Sequence, residues 1–99
     1  MSAINEEYNK IQRPVIVLDI EKMEVLSVRV TTTPPRENDP YDTPILYWEH
    51  AKLRMKSTAR VSKTMLVNKS QFIHIIGDLH QDDFENVQQQ FMRYINDNI

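Results

Sequence analysis

The sequence predicts a mainly β domain: a small antiparallel sheet or partly open barrel with one helix at its C-terminal end. Short runs of β-branched and apolar residues recur through the first three quarters of the chain. Turn-forming residues such as Pro34-Pro35 separate these runs. A single helical pattern, with apolar residues three and four positions apart, follows them at the end of the chain.

Composition excludes several classes of protein. The 99 residues, 40% hydrophobic and 26% charged, correspond to one small globular domain. The chain has no cysteine and one glycine, which excludes disulfides, thiolate sites and glycine-rich phosphate loops. No apolar run approaches the ~20 residues of a membrane span. The first ten residues do not resemble a signal peptide, so we expect a cytoplasmic protein that does not associate with membranes.

The N-terminal third predicts two strands. Residues 1–12 are polar and aperiodic, so we expect them to be poorly structured and the domain to span residues 13–99. The run at 15–18, VIVL, is short and mostly β-branched, which predicts a buried strand that begins at Arg13-Pro14. After a polar turn, residues 25–33 alternate between an apolar face and a polar, cationic face, which predicts a second strand.

The middle of the chain is less regular. Residues 36–44 are rich in Pro, Asp and Asn, which predicts a loop. Residues 45–53 fit either one or two helical turns or a short strand followed by a turn, and the pattern does not separate the two.

The last part predicts two further strands and the helix. Residues 57–67 alternate as a strand does, and residues 72–76 form an apolar strand that Gly77 closes. The pattern at 81–96 predicts an amphipathic helix with acidic residues in its first turns, where they complement the helix dipole. Its predicted core face consists of Phe84, Val87, Phe91 and Ile95.

Positive charge is concentrated in the stretch KLRMKSTARVSK at 52–63. Residues 51–77 contain six Lys or Arg and no acid, although the net charge of the chain is -2. Local concentration of charge favours binding of a polyanion. A solvated basic face is the alternative interpretation of the same pattern.

Three segments resemble the MazF/PemK (Kid) family of toxins from type II toxin–antitoxin systems. RPVIVLD at 13–19 is similar to the RPVLVL strand of that family, and VRVTTTPPRENDPYDTPI at 28–45 is similar to its V-x-I-T-S-T-P-P-R segment. The third segment, at 48–87, begins WEHAKLRMKSTARVSK and resembles W-x-x-A-G-L-x-K-P-S-T-V-R followed by I-G-x-L-S-x-x-D. All three occur in the family's order, and together they cover residues 13 to about 95.

The resemblance implies an SH3-like barrel with a C-terminal helix, usually as a homodimer. It implies an endoribonuclease that cuts single-stranded RNA, often mRNA, without a metal or cofactor, and that a cognate antitoxin neutralises. The arginine that opens the RPV strand, a threonine that ends the next strand and an arginine of the S-T-V-R strand are catalytic in such proteins. They match Arg13, Thr31 and Arg60, which would otherwise be interpreted as ordinary surface and strand residues.

The chain departs from the family pattern in three places. The usual first strand, G-D-I-V-x-V-x-F, is not recognisable before Arg13, so we expect that strand to be missing. Ser62 occupies the position at which some relatives carry an aspartate, a candidate base. His80 replaces the serine that would cap the last helix, which predicts a loss of ~1 kcal/mol at the helix start. The first two departures favour an alternative: a catalytically impaired relative that binds RNA or an antitoxin.

Metal-free RNA cleavage by the 2′-hydroxyl needs a base, a proton for the leaving 5′ oxygen and positive charge near the transition state. Arginine provides that charge with a fork that matches two phosphate oxygens. Candidates for the base remain open: His50, His74, His80, Glu37 and Asp39. We predict RNA-binding roles for Arg36 (or a plain loop charge), Lys52, Arg54, Lys56, Ser62 and Lys63. No histidine pair has a ligand spacing, so no metal site is predicted.

Overall fold

The computed structural model describes residues 3–7 and 13–99, and the side chains of residues 13–72 and 75–99. A short 3-10 helix, Lys69–Gln71, joins the last two strands. The regular elements are six strands and one α-helix: β1 Ala3–Glu7, β2 Arg13–Glu21, β3 Glu24–Thr31, β4 Asp42–Ile45, β5 Ser57–Asn68, β6 Phe72–Asp78 and α1 Gln81–Asp97.

All six strands belong to one antiparallel sheet. The strand order is β4-β5-β3-β2-β1-β6, so β4 and β6 form the two edges. Among the described residues no ladder joins these edges, so the sheet is open and not a closed barrel. The predicted mainly β fold with a C-terminal helix is confirmed, in its partly open form.

The N-terminal segment differs from the prediction. Residues 1–12 were expected to be poorly structured and the first strand to be missing, but Ala3–Glu7 forms β1. Its residues pair with β2 on one side, Ile4 with Ile16, and with β6 on the other, Ile4 with Gly77. These ladder bonds use backbone groups, so the mostly polar sequence AINEE does not reveal them. Residues 1, 2 and 8–12 lie outside the described part.

The core lies between one face of the sheet and α1. Its buried residues come from β2, β3, β4, β5 and α1, from the turns after β4 and from the link between β6 and α1: Ile16, Val28, Val30, Ile45, Ala51, Ala59, Val61, Leu79 and Val87. Burial of these apolar side chains is the main favourable contribution to folding. The polar turn that separates the first two predicted strands is Lys22-Met23, where Lys22 adopts a positive φ of 56°.

Helix α1 confirms the predicted range but shifts the predicted core face by one residue. Val87 is buried, and Phe84, Phe91 and Tyr94 pack against the core. Ile95, predicted to belong to this face, is 37% exposed. Tyr94 takes its place because its ring packs edge-on against Tyr41, with 5.1 Å between the ring centroids. None of the helices in the described part of the chain has the length and apolar character to cross a membrane.

His80 caps α1 despite the predicted weakness of a histidine at this position. Its Nδ1 accepts a hydrogen bond of 3.0 Å from the backbone N–H of Asp82. The Nδ1 atom of His80 therefore takes the place of the serine oxygen that usually accepts a hydrogen bond from a free N–H in the first turn.

The ambiguous segment after the predicted loop is a short strand followed by turns. Strand β4 ends at Ile45, and turns occupy residues 46–52. The loop predicted for 36–44 therefore ends at Tyr41, since Asp42 already pairs with Arg60 of β5. This part is anchored to α1 by the buried carboxylate of Asp83, which accepts hydrogen bonds from the N–H groups of Leu46 (2.9 Å) and Tyr47 (2.8 Å).

Candidate functional site

A cavity of about 320 Å³ opens on the sheet at the ends of three strands. It brings together the three residues that the resemblance marks as catalytic, one each from β2, β3 and β5. We call it the cationic pocket. Its lining residues are Arg13, Pro14, Arg29, Val30, Thr31, Thr32, Ser57 and Arg60.

Strand alternation explains why these arginines gather. Arg29 and Arg60 are register partners in the β3–β5 ladder, and each lies between two core residues of its own strand. Because successive side chains point to opposite faces, both guanidinium groups project from the face opposite the core. Val15 of β2 pairs with Arg29, which places Arg13, two residues earlier in β2, at the end of the same face.

Arg60 is a half-buried residue of the pocket lining. Its Nε is buried and has no hydrogen-bond partner among the described residues. A buried donor without an acceptor is unfavourable. The incompletely satisfied guanidinium therefore favours an additional acceptor, such as a phosphate oxygen, in the pocket.

Arg29 also lines the cationic pocket, although it is not among the predicted site residues. Its Nη2 lies 3.7 Å from the Sδ of Met65, its neighbour across the sheet. The alternating pattern of β3 could have indicated a site role for Arg29, because this residue lies on the polar, cationic face two residues before Thr31. No site role was predicted for this arginine.

Thr31 is the last residue of β3, and its hydroxyl makes two hydrogen bonds. Its Oγ1 accepts a hydrogen bond from the backbone N–H of Thr33 at 3.2 Å and donates one to Thr33 Oγ1 at 3.3 Å. These two hydrogen bonds form a local turn that orients the hydroxyl of a residue lining the pocket.

Arg36, a predicted RNA contact, is engaged in ion pairs. Its side chain binds Asp39 at 2.9 Å and Asp42 at 2.9 Å. Burial alone raises the pKa of Asp42, but hydrogen bonds from the side chain and backbone of Arg36 outweigh burial and hold that pKa below its ordinary value. The charge of Arg60 acts in the same direction. Arg36 thus stabilises the loop before β4 through its ion pairs with Asp39 and Asp42. It does not line the cationic pocket.

Ser62 belongs to the same cluster. Its hydroxyl donates to Asp39, a candidate base, which also accepts from Arg36 and from the backbone N–H of Tyr41. Asp39 therefore lies beside the serine that stands where some relatives carry an aspartate. Neither residue lines the cationic pocket.

None of the remaining candidates whose side chains are described lines the cationic pocket. Lys52, Arg54 and Lys56 are exposed in the segment that leads into β5, and Lys63 is exposed within β5. His50 and His80 form an aromatic cluster with Tyr47, whose ring stacks on His80 at 3.9 Å, and neither histidine lines the pocket. Glu37 is exposed in its loop, and the side chain of His74 lies outside the described residues.

A second cavity, of about 310 Å³, adjoins the first, since Thr32 and Ser57 line both. We call it the apolar pocket. Its lining residues are Thr32, Pro34, Pro35, Pro44, Ile45, Leu46, Trp48, Lys56, Ser57 and Thr58. In the described part of the chain, no group of three or more His, Cys, Asp or Glu is arranged to hold a metal ion.

Comparison with known proteins identifies the family. The PemK-like, MazF-like toxin family of type II toxin–antitoxin systems matches residues 2–95. No curated protein matches the chain. The fold is similar to that of the Mycobacterium tuberculosis toxin MazF-mt6, with a TM-score of 0.80 and 18% identity over 95% of this chain and 96% of that chain.

Two further solved structures share the fold. One is an endoribonuclease in complex with its cognate antitoxin from mycobacterial species, with a TM-score of 0.74 and 11% identity over 96% of this chain and 91% of that chain. The other is an endoribonuclease from mycobacterial species, with a TM-score of 0.71 and 11% identity over 93% of this chain and 88% of that chain. The chain belongs to the family of PemK-like, MazF-like toxins of type II toxin–antitoxin systems.

Proposed function

We propose that this toxin is an endoribonuclease that cuts single-stranded RNA by attack of a 2′-hydroxyl on the adjacent phosphorus, without a metal. The observation that carries the proposal is the cationic pocket, in which Arg13, Thr31 and Arg60 meet from three different strands. Two solved structures with this fold are named endoribonucleases, which supports the same activity here.

In the proposed reaction the scissile phosphate lies between Arg13 and Arg60. Their guanidinium groups stabilise the charge that accumulates on the phosphoryl oxygens. The Thr31 hydroxyl orients the phosphate or the attacking 2′-hydroxyl. The new P–O2′ bond displaces the 5′ oxygen and leaves a 2′,3′-cyclic phosphate.

None of the described residues that line the cationic pocket is a carboxylate or an imidazole. We therefore assign catalysis to charge stabilisation and alignment, with the 2′ proton passing to water and a proton from water reaching the leaving oxygen. The same observation favours a second candidate function: a relative that binds RNA in this pocket and does not cut it.

We extend the proposal to the partners of the protein. An antitoxin with an acidic, partly disordered segment would cover the basic residues Lys52, Arg54, Lys56 and Lys63 and compete with RNA through charge complementarity. Arg36 and Ser62 act in this proposal by shaping the site, because their polar groups are bonded to Asp39 and Asp42. We place the protein in the cytoplasm as a homodimer.

The test is incubation of the purified protein with end-labelled single-stranded RNA in the presence of EDTA. Wild type and the control Arg93→Ala, exposed on α1, should cut the RNA, whereas Arg13→Ala and Arg60→Ala should not. The products should end in a 2′,3′-cyclic phosphate or 3′-phosphate; a 3′-hydroxyl end refutes the mechanism. Salt-dependent binding without cutting by the wild type identifies the non-catalytic alternative.

A further inference from the structure

We propose that Met65 is an oxidation site, and that its sulfoxide lowers the affinity of the cationic pocket for RNA. Hydrogen peroxide is the oxidant, and the thioether of Met65 is the group that it modifies. The inference rests on the proposed function, since it concerns control of the same pocket. The modification of the sulfur, however, can be measured without any RNA.

The first argument is the position of the sulfur. Sδ of Met65 lies 3.7 Å from Nη2 of Arg29, and Arg29 lines the cationic pocket. A chemical change at this sulfur therefore acts directly on one of the cations of the pocket, although Met65 itself does not line it.

An irregularity in the sheet produces this contact. In the β3–β5 ladder Ser27 pairs with Met65 and Arg29 pairs with Arg60, with a register shift between the two pairs. Residues 61–64 of β5 thus lie opposite the single residue Val28, and such bulges redirect side chains. Arg29 consequently has both Arg60 and the sulfur of Met65 as neighbours from the same strand.

The second argument is the chemistry of the contact. A thioether sulfur is a weak acceptor, whereas a guanidinium carries five N–H donors. The contact with Sδ therefore occupies little of the hydrogen-bonding capacity of Arg29. In its reduced form Met65 competes poorly with a phosphate oxygen for this arginine.

Oxidation replaces the weak acceptor with a strong one. A lone pair of the sulfur attacks one oxygen of hydrogen peroxide, the O–O bond breaks and an S–O bond forms. The thioether is oxidised by two electrons to the sulfoxide, and the peroxide is reduced to one molecule of water. The product is a polar side chain whose new oxygen is bonded to the atom that already contacts Nη2 of Arg29.

The sulfoxide oxygen then competes with the ligand. A hydrogen bond from Arg29 to this oxygen is charge-assisted, as is a hydrogen bond from Arg29 to phosphate. Oxidation should therefore remove one phosphate contact and leave those of Arg13 and Arg60. For single-stranded RNA, the slope of log affinity against log salt should become shallower by about 0.7.

Other methionines provide internal controls. Met65 is half-buried, and Met23, Met55 and Met92 are exposed, so peroxide should modify these three as well. None of the three lines the cationic pocket. Their oxidation should not change the salt slope, and methionine sulfoxide reductases can reverse oxidation at all four sites.

The test treats wild type, Met65→Leu and the control Met92→Leu with hydrogen peroxide and compares each protein with its own untreated form. Leucine has a similar volume and no sulfur. Peptide mass spectrometry measures the added oxygen at each methionine. Fluorescence anisotropy over a range of salt measures binding of a short, labelled 2′-fluoro RNA, which has no 2′-hydroxyl and is not cut.

Treated wild type and treated Met92→Leu should show the shallower slope, and sulfoxide reductases should restore it. Treated Met65→Leu should keep the slope of its untreated form. Met65→Gln gives a second test without peroxide, because its amide oxygen is a stronger acceptor than a thioether. Its slope should be shallower than that of Met92→Gln, and circular dichroism checks that both variants fold.

The inference is overturned if Met65 stays unmodified while Met23, Met55 and Met92 are fully oxidised, or if treated wild type and treated Met65→Leu have the same slope. A loss of affinity that is equal at every salt concentration would indicate damaged packing and would also overturn it. If wild type binds the probe but leaves natural RNA intact, only the proposed cleavage fails. If untreated wild type does not bind the probe, both proposals fail.

Discussion

Arg36 holds the carboxylate of Asp42 with three N–H groups. The backbone N–H and Nε donate to Oδ2 at 3.0 and 2.9 Å, and Nη2 donates to Oδ1 at 3.1 Å. The Asp42 side chain is 1% exposed and pairs in register with Arg60. One loop arginine thus neutralises a buried acid next to Arg60, whose own charge also helps to keep Asp42 ionised.

We expect Arg36→Ala to lower the melting temperature near neutral pH more than Arg93→Ala does, because it leaves the buried Asp42 carboxylate without its partner. Arg93 is a matched control, since its ion pair with Asp97 is exposed and 3.8 Å long. Thermal unfolding by circular dichroism measures both effects.

The pH dependence of that difference follows from the lowered pKa of Asp42. Its ionised form stabilises the protein above the ordinary aspartate pKa of ~3.9, and this contribution is lost as the pH falls through the lower native pKa. The gap between wild type and Arg36→Ala should therefore shrink in acid. A gap that stays constant down to the lowest pH at which the protein folds would contradict this assignment.

Asp83→Asn should lower the free energy of unfolding by about 1–3 kcal/mol. The buried carboxylate accepts from two N–H groups, of Leu46 and Tyr47, and an asparagine amide has one oxygen, so one N–H would face an NH₂ donor. Urea unfolding measures the loss. Asp82→Asn, exposed in the same helical turn, is the control; equal losses in the two variants would count against the anchor.

Gly77→Ala should also destabilise the protein, by about 1–3 kcal/mol. A Cβ at this position would lie 2.5 Å from the backbone oxygen of Ala51, which belongs to the turns that follow β4. The backbone at Ala51 or at Gly77 must move to make room for the new methyl group, so β6 and the turns would move apart. Ile75→Ala on the same strand, where the side chain is 65% exposed, provides the comparison for urea unfolding, and it should change stability less.

Arg60→Lys should separate charge from geometry. Lysine keeps the positive charge but loses the planar fork, so we expect RNA affinity close to wild type and a cleavage rate lower by about 10²-fold. Single-turnover kinetics measure the rate and fluorescence anisotropy the affinity. Full activity in Arg60→Lys would mean that Arg60 acts only as a point charge.

Arg54→Gln should weaken RNA binding mainly at low salt. If its exposed guanidinium contacts one phosphate, the slope of log affinity against log salt should become shallower by about 0.7 for single-stranded RNA. Arg93→Gln, exposed on α1, should leave the slope unchanged. An unchanged slope in Arg54→Gln would remove this residue from the RNA path.

Elements with a strong side-chain pattern could be predicted from the sequence. The ranges predicted for the strand at 57–67 and the helix at 81–96 differ from β5 and α1 by one residue at one end. The family was also recognised from three segments, and the family match at 2–95 confirms it. The patterns that predict this strand and this helix are local, because alternation and helical spacing are properties of neighbouring residues.

Features that depend on pairing between distant residues could not be predicted. β1 contains little apolar sequence, and its place between β2 and β6 arises from backbone hydrogen bonds with residues far away in the chain. The ion pairs of Arg36 with Asp39 and Asp42 could not be predicted either, because they depend on how the loop before β4 folds. The contribution of Arg29 to the pocket likewise depends on its register with Arg60.

The position of β1 has a consequence for the order of folding. Among the described strands, β6 pairs only with β1, and Ala3 is the register partner of Asp78. During synthesis β1 emerges early but gains its second neighbour only when nearly the whole domain has left the ribosome. Such distant pairing slows folding because a long loop must close first. The strands that carry the cationic pocket, β2, β3 and β5, precede that closure, so the chemistry-bearing surface can assemble before the sheet is complete.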